Sequence, residues 1–140
     1  MSNPIKIGLV GLGRAGYSMH TYELASRKDK FVFAACCDEI PERVSAFVEQ
    51  FGAKGYATIE ELIADPEVEL VDIATRSIDH MKHARLALLA GKDVFLEKPF
   101  AMDTAEAQEL IRLGSQPAGP HLYSRHNRRF EYGFEMVTEI

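Results

Sequence analysis

Short apolar runs alternate along the chain with segments in which apolar residues recur every three or four positions. Ile5 to Val10, Phe31 to Cys37, Leu70 to Ala74 and Val94 to Leu96 are continuous and brief, as buried strands are. Ala53 to Tyr56 and His121 to His126 read as two further, shorter strands. Between them lie helical patterns. Ala15, Met19 and Tyr22 share one helix face, and Pro41 opens a helix striped by Val44, Phe47, Val48 and Phe51 that Gly52 closes. Thr58 with Glu61 spells a capping box ahead of Ile59, Leu62 and Ile63. Met81, Ala84, Ala87 and Leu88 form the inner face of the next helix, which Gly91 stops. Asp103 with Glu106 caps another, with Ala107, Leu110 and Ile111 facing inward, and a last helix starts at Phe130.

Strands that are apolar on both faces and alternate with helices predict an α/β fold: a doubly wound, mostly parallel sheet with helices on both sides. A length of 140 residues fits one domain. Apolar residues at 46% and charged residues at 26% are ordinary for a globular protein. A net charge of −5 argues against nucleic acid or anionic lipid as partner. No apolar run approaches the ~20 residues of a membrane span. Met1 to Pro4 lacks the layout of a secretory signal. Adjacent Cys36 and Cys37 point to opposite faces of a strand and cannot readily pair. They read as buried thiols of a reducing, cytoplasmic compartment. The ending is expected to be a break in a longer polypeptide, with residues 1–126 as the domain and 127–140 as the start of a connection to a second one.

The chemistry sits first in Gly11-Leu12-Gly13-Arg14-Ala15-Gly16, a G-x-G-x-x-G loop that leaves a strand and opens a helix. The first glycine permits the tight turn, the second lets the backbone approach a pyrophosphate, and the third lets the helix lie on the strand. The helix start offers free N–H groups to the phosphates. Asp38 ends the second strand 22 residues after Gly16, close to the ~20 expected of a ribose-binding acid. The pattern predicts a Rossmann-type dinucleotide site. A carboxylate at that position accepts the ribose hydroxyls of NAD and repels the 2′-phosphate of NADP. Glu39 adds to the repulsion, whereas Arg43, one helical turn on, keeps NADP open.

With Glu97-Lys98-Pro99 after the fifth strand, the chain resembles the Gfo/Idh/MocA family, that of glucose–fructose oxidoreductase and inositol dehydrogenase. The resemblance runs through GLGRAG, CCDEIPER, VDIATRSIDH, HARLALLAGKDVFLEKP and HNRRF. It implies an N-terminal Rossmann domain joined to a C-terminal α/β domain that supplies oligomer contacts and much of the substrate site. It also implies hydride transfer between a nicotinamide cofactor and a sugar, cyclitol or related alcohol. Lys98 is then the catalytic lysine, an ammonium able to stabilise a developing alkoxide. Ala74, Thr75 and His80 line the cofactor path, Glu97 faces the nicotinamide side, and Asn127 to Phe130 lies toward the second domain. Arg76-Ser77 departs from the Pro-Asn pair frequent after the threonine, and Arg76 could reach a phosphate or a substrate acid. A homo-oligomer is expected of the full-length protein.

Two other readings stand beside this one: a dinucleotide-sensing module without catalysis, and a methyltransferase binding S-adenosylmethionine. The lysine motif favours oxidoreduction, since neither rival needs an ammonium at that place. Asp79 and His83 have the spacing of the family's catalytic Asp–His pair but precede the lysine motif, so they are not that pair. His80 and His83 share a helix face without a third ligand, and no metal is expected. Arg125, Arg128 and Arg129 are too few for an RNA strip on an acidic domain. Tyr17 and His20 read as packing residues.

Overall fold

The computed structural model describes residues 3–126. The expected connection over 127–140, Asn127 included, lies outside the described residues. Six strands form one parallel sheet: β1 Ile5–Val10, β2 Phe31–Cys37, β3 Lys54–Tyr56, β4 Leu70–Ile73, β5 Asp93–Leu96 and β6 Leu122–Ser124. Their order is β3-β2-β1-β4-β5-β6. The chain winds outward from β1 in both directions, so a crevice opens between the carboxyl ends of β1 and β4.

Helices cover both faces. A π-helical segment, Arg14–His20, runs into α1, Thr21–Ala25. The remaining helices are α2 Pro41–Phe51, α3 Ile59–Ala64, a 3-10 turn Ser77–Asp79, α4 His80–Leu89 and α5 Thr104–Leu113. One core layer joins Val71, Ile73, Val94 and Leu96 of the sheet to Leu62, Ala84, Leu88 and Leu110 of α3, α4 and α5. The other joins Ile7, Leu9 and Phe33 to Phe47 of α2. Cys36 belongs to the second layer and Cys37 to the first, as the alternation of a strand requires. Both are free thiols.

The caps form where the local code puts them. The Glu61 N–H donates to Thr58 Oγ1 at 3.3 Å and the Thr58 N–H to Glu61 Oε2 at 3.2 Å. Asp103 Oδ1 accepts from the Glu106 N–H at 2.9 Å. Two expected faces are corrected. Met19 (38% exposed) and Tyr22 (82%) point outward, and Gly16, His20 and Thr21 are buried instead. The Thr21 N–H reaches back five residues to the Gly16 carbonyl, and this wide turn rotates the helix so that a histidine takes the inward position. In α5 the inward stripe is Leu110 with Leu113, which leaves Ile111 55% exposed.

Candidate functional site

The three strand ends at the switch point enclose a cavity of about 550 Å³. Gly11, Gly13 and Ala15 form its floor, Asp38, Glu39 and Arg43 one wall, and Ala74, Thr75 and Arg76 the opposite wall. Gly11 holds φ +92°, and a Cβ there would meet the Ala74 carbonyl at 2.7 Å. At Gly16 a Cβ would lie 1.9 Å from the Gly11 carbonyl, so helix and turn touch backbone to backbone. Gly13 differs. A Cβ there would meet only Arg43 Nη1, at 3.9 Å, so its missing side chain leaves free space for a ligand's approach. The opening turn of the helix presents N–H groups that have no acceptor within the helix.

Asp38 ties the loop to β2. Its carboxylate accepts the Leu12 N–H at 2.7 Å and the Ile40 N–H at 2.9 Å, with Arg43 Nη1 at 3.5 Å. The Leu12 side chain is buried, so its contribution to the cavity is this loop geometry. Arg14 is exposed. Arg76 donates to Asp79 Oδ2 at 2.9 Å and lies 3.9 Å from Glu39 Oε1, across the cavity mouth. Cys37 lines the cavity, but burial and then the Asp38 charge push its thiol up to about 12. It stays protonated at neutral pH and offers no nucleophile.

His80 does not line the cavity. Its ring is buried, Nδ1 lying 2.8 Å from the Pro99 carbonyl and Nε2 3.1 Å from the Thr75 carbonyl. It braces the β4 end against the lysine motif. His83, set aside in the sequence as a decoy, lines the cavity, with Nδ1 3.0 Å from Thr75 Oγ1. Burial holds its pKa below 6.5. The ring nitrogens of His80 and Nδ1 of His83 are thus committed to protein groups, and among the described residues no group of three potential ligands could hold a metal.

Glu97 is buried, and Lys98 beside it is exposed beyond the carboxyl end of β5. Glu97 Oε1 accepts from Arg125 Nη1 at 2.8 Å and lies 3.3 Å from His20 Nε2. Glu97 Oε2 accepts the Lys98 N–H at 2.6 Å. His20 Nδ1 lies 2.9 Å from both oxygens of Asp72, a residue with no exposed surface in the middle of β4. Burial pulls the His20 pKa down, but the hydrogen bonds to Asp72 and Glu97 outweigh it and raise the pKa above 6.5. Burial likewise pushes Glu97 up, and the Lys98 N–H, His20 and Arg125 together bring it below 4.5.

These shifts predict a dome of stability against pH. His20 binds its proton more tightly folded than unfolded, so its contribution is complete below 6.5 and is lost as pH rises through the raised value. His83 contributes above 6.5 and loses that contribution as pH falls through its lowered value. Glu97 adds a second loss below 4.5. Melting temperatures of the chain should therefore peak near neutrality, and His83→Gln should remove the loss just below 6.5. A melting temperature that climbs steadily into alkali would contradict the charged His20.

A parallel sheet of this order, with a glycine cradle and an acid at the end of β2, defines a Rossmann domain built for a dinucleotide. The sequence profile described as "Oxidoreductase family, NAD-binding Rossmann fold" matches residues 5–117. The chain belongs to this Gfo/Idh/MocA family, as its NAD-binding domain. It is 35% identical over 137 residues to 1-carboxy-3-chloro-3,4-dihydroxycyclohexa-1,5-diene dehydrogenase of Comamonas testosteroni, covering 97% of this chain and 34% of that protein. It is 32% identical over 138 residues to inositol 2-dehydrogenase of Salmonella typhimurium, covering 97% and 41%. In structure it is similar to the WlbA dehydrogenase of Bordetella pertussis, solved with NADH and UDP-GlcNAcA. There the TM-score is 0.89 at 26% identity, over 97% of this chain and 41% of that one. The chain thus spans between 34% and 41% of the length of these relatives.

The sequence reading missed several wall residues, among them Ile40, Thr58, Glu60 and Lys82. It also missed the ion network of His20 and Asp72. One signal for the network was visible: an aspartate in the middle of an otherwise apolar strand. No helix among the described residues is long and apolar enough to cross a membrane.

Proposed function

We propose that this chain is the cofactor half of an enzyme that moves hydride between NAD and a secondary alcohol carbon of a sugar, cyclitol or related polyol. The observation that carries the reading is the open cradle at Gly13 facing Asp38 across one cavity, with Lys98 at a neighbouring strand end. The amides of Gly13 to Gly16 hold the pyrophosphate, and the free lone pairs of Asp38 accept the adenosine ribose hydroxyls. Ala74, Thr75 and Arg76 close the other side, and Glu39 and Arg43 set the charge at the ribose end. The bound nicotinamide supplies the carbon that gives or takes hydride. Lys98 Nζ would hydrogen-bond the reacting oxygen and stabilise its charge as the proton passes to a base supplied by the second domain of the family. The other alcohol contacts, and the contacts of a homo-oligomer, come from the second domain of the family. The free, buried thiols of Cys36 and Cys37 suit a cytoplasmic protein.

Asp38 makes the cofactor choice testable. Titration calorimetry should show NADH bound more tightly than NADPH. Asp38→Ala should weaken NADH by ~1.5–3 kcal/mol, the worth of charge-assisted hydrogen bonds. Because Asp38 also anchors the Leu12 N–H, part of that loss reflects a looser loop. Loop loosening affects both dinucleotides equally, whereas loss of ribose recognition narrows the gap between them. An unchanged NADH-to-NADPH ratio would remove Asp38 from the ribose.

A further inference from the structure

Four ionisable side chains from four places in the fold meet out of water. His20 comes from the π-helical segment, Asp72 from β4, Glu97 from the end of β5 and Arg125 from just beyond β6, and all are buried. Burial pushes the Asp72 carboxyl up, and His20 and Arg125 pull against that shift. Glu23, on α1, takes the second arm of Arg125 at 2.6 Å on the solvent side. The ring of Phe95 packs beside His20, with centroids 6.1 Å apart. Every buried side-chain polar atom among the described residues has a partner. Such a cluster is costly to desolvate and is a poor means of gaining stability alone.

What singles it out is where it ends. Glu97 shares Oε1 between His20 and Arg125 and uses Oε2 to accept the Lys98 N–H. We propose that His20 is a positioning residue: it fixes the Glu97 carboxylate, and Glu97 in turn fixes the main chain from which the Lys98 side chain departs. Both ring nitrogens of His20 face carboxylate oxygens, so both carry protons and the ring is an imidazolium clamped from two sides. The wide π turn brings His20 to that place. Its importance for function rests on the reading of Lys98 given above, while the coupling itself is measurable without cofactor.

Amide hydrogen exchange followed by NMR on the 140-residue chain tests it. His20→Gln should speed exchange at Lys98 by about tenfold or more, the worth of a charge-assisted hydrogen bond, beyond any change at Leu9 and Val71. In a Glu97→Gln background the same substitution should add little, because the link is already cut. Equal acceleration at Lys98, Leu9 and Val71 would mean that His20 only staples helix to sheet and would overturn the proposal. Undiminished acceleration in the Glu97→Gln background would overturn it too. Wild-type protein gives a second reading that needs no variant to fold. The Lys98 amide shift should follow the titration of the His20 ring nitrogens and not that of His83. A Lys98 amide indifferent to His20 also defeats the proposal. Failure of the wild-type chain to bind NADH would sink the dinucleotide reading instead and leave these couplings where they are.

Discussion

Gly13→Val is expected to leave the chain folded and unable to bind NADH at millimolar concentration. The two halves of that outcome come from one observation. A Cβ at Gly13 meets nothing closer than 3.9 Å, and that contact is the end of the Arg43 side chain, half exposed and free to move. The fold therefore has room for the valine. The same space is where a pyrophosphate must approach the amides, and filling it separates them from the phosphate oxygens by more than a hydrogen bond spans. Gly16 supplies the contrast. A single methyl there sits 1.9 Å from the Gly11 carbonyl, a contact that backbone atoms can relieve only by parting the helix from β1. Gly16→Ala should cost at least about 3 kcal/mol of stability, at the upper end of overpacking losses. Circular dichroism and NADH fluorescence on the two variants separate the cases. A folded Gly13→Val chain that retains NADH affinity would mean that the phosphate does not cross this loop.

The contrast also shows which parts of the molecule a sequence exposes. The glycine loop, the Asp38 strand end and both capping motifs follow local rules whose participants lie within a few residues or at a fixed spacing. Each is legible from one segment at a time. The apolar stripe of α2 was equally plain, because Val44, Phe47, Val48 and Phe51 have no competing face. The first helix misled for a physical reason. Met19 and Tyr22 are its conspicuous apolar residues, yet the inward position goes to His20, whose partners lie 52 and 77 residues away. No window of helical length contains Asp72 or Glu97, and a π turn changes the period on which the helix reading relied. Ile111 failed on a smaller scale: α5 touches the core through Leu110 and Leu113, a narrower stripe than the residues allow. His80 and His83 were visible as a pair, but only the packing of α4 decides which one is a brace and which one faces the cavity.

Incubated with NAD and a panel of sugars and cyclitols, the 140-residue chain is expected to produce no NADH above background. Hydride transfer requires the alcohol carbon at ~3–3.5 Å from the nicotinamide, with its proton accepted by a placed base. Lys98 can meet one oxygen. Among the described residues its neighbours do not add a clamp: Glu97 is spent on Arg125 and His20, Arg125 on Glu97 and Glu23, and His80 is held by two carbonyls. Thr75 and His83, on the cavity wall, are paired with one another. A polyol beside Lys98 would therefore keep its freedom to tumble. Orientation of the reactants is worth ~7–11 kcal/mol of barrier, and losing it slows turnover below what NADH absorbance detects. Adding the second domain of a relative in trans, or fused after Ile140, should restore measurable rates if the clamp resides there. Turnover by the chain alone that is abolished by Lys98→Ala at unchanged NADH affinity would prove the opposite: that this chain both binds and orients the alcohol.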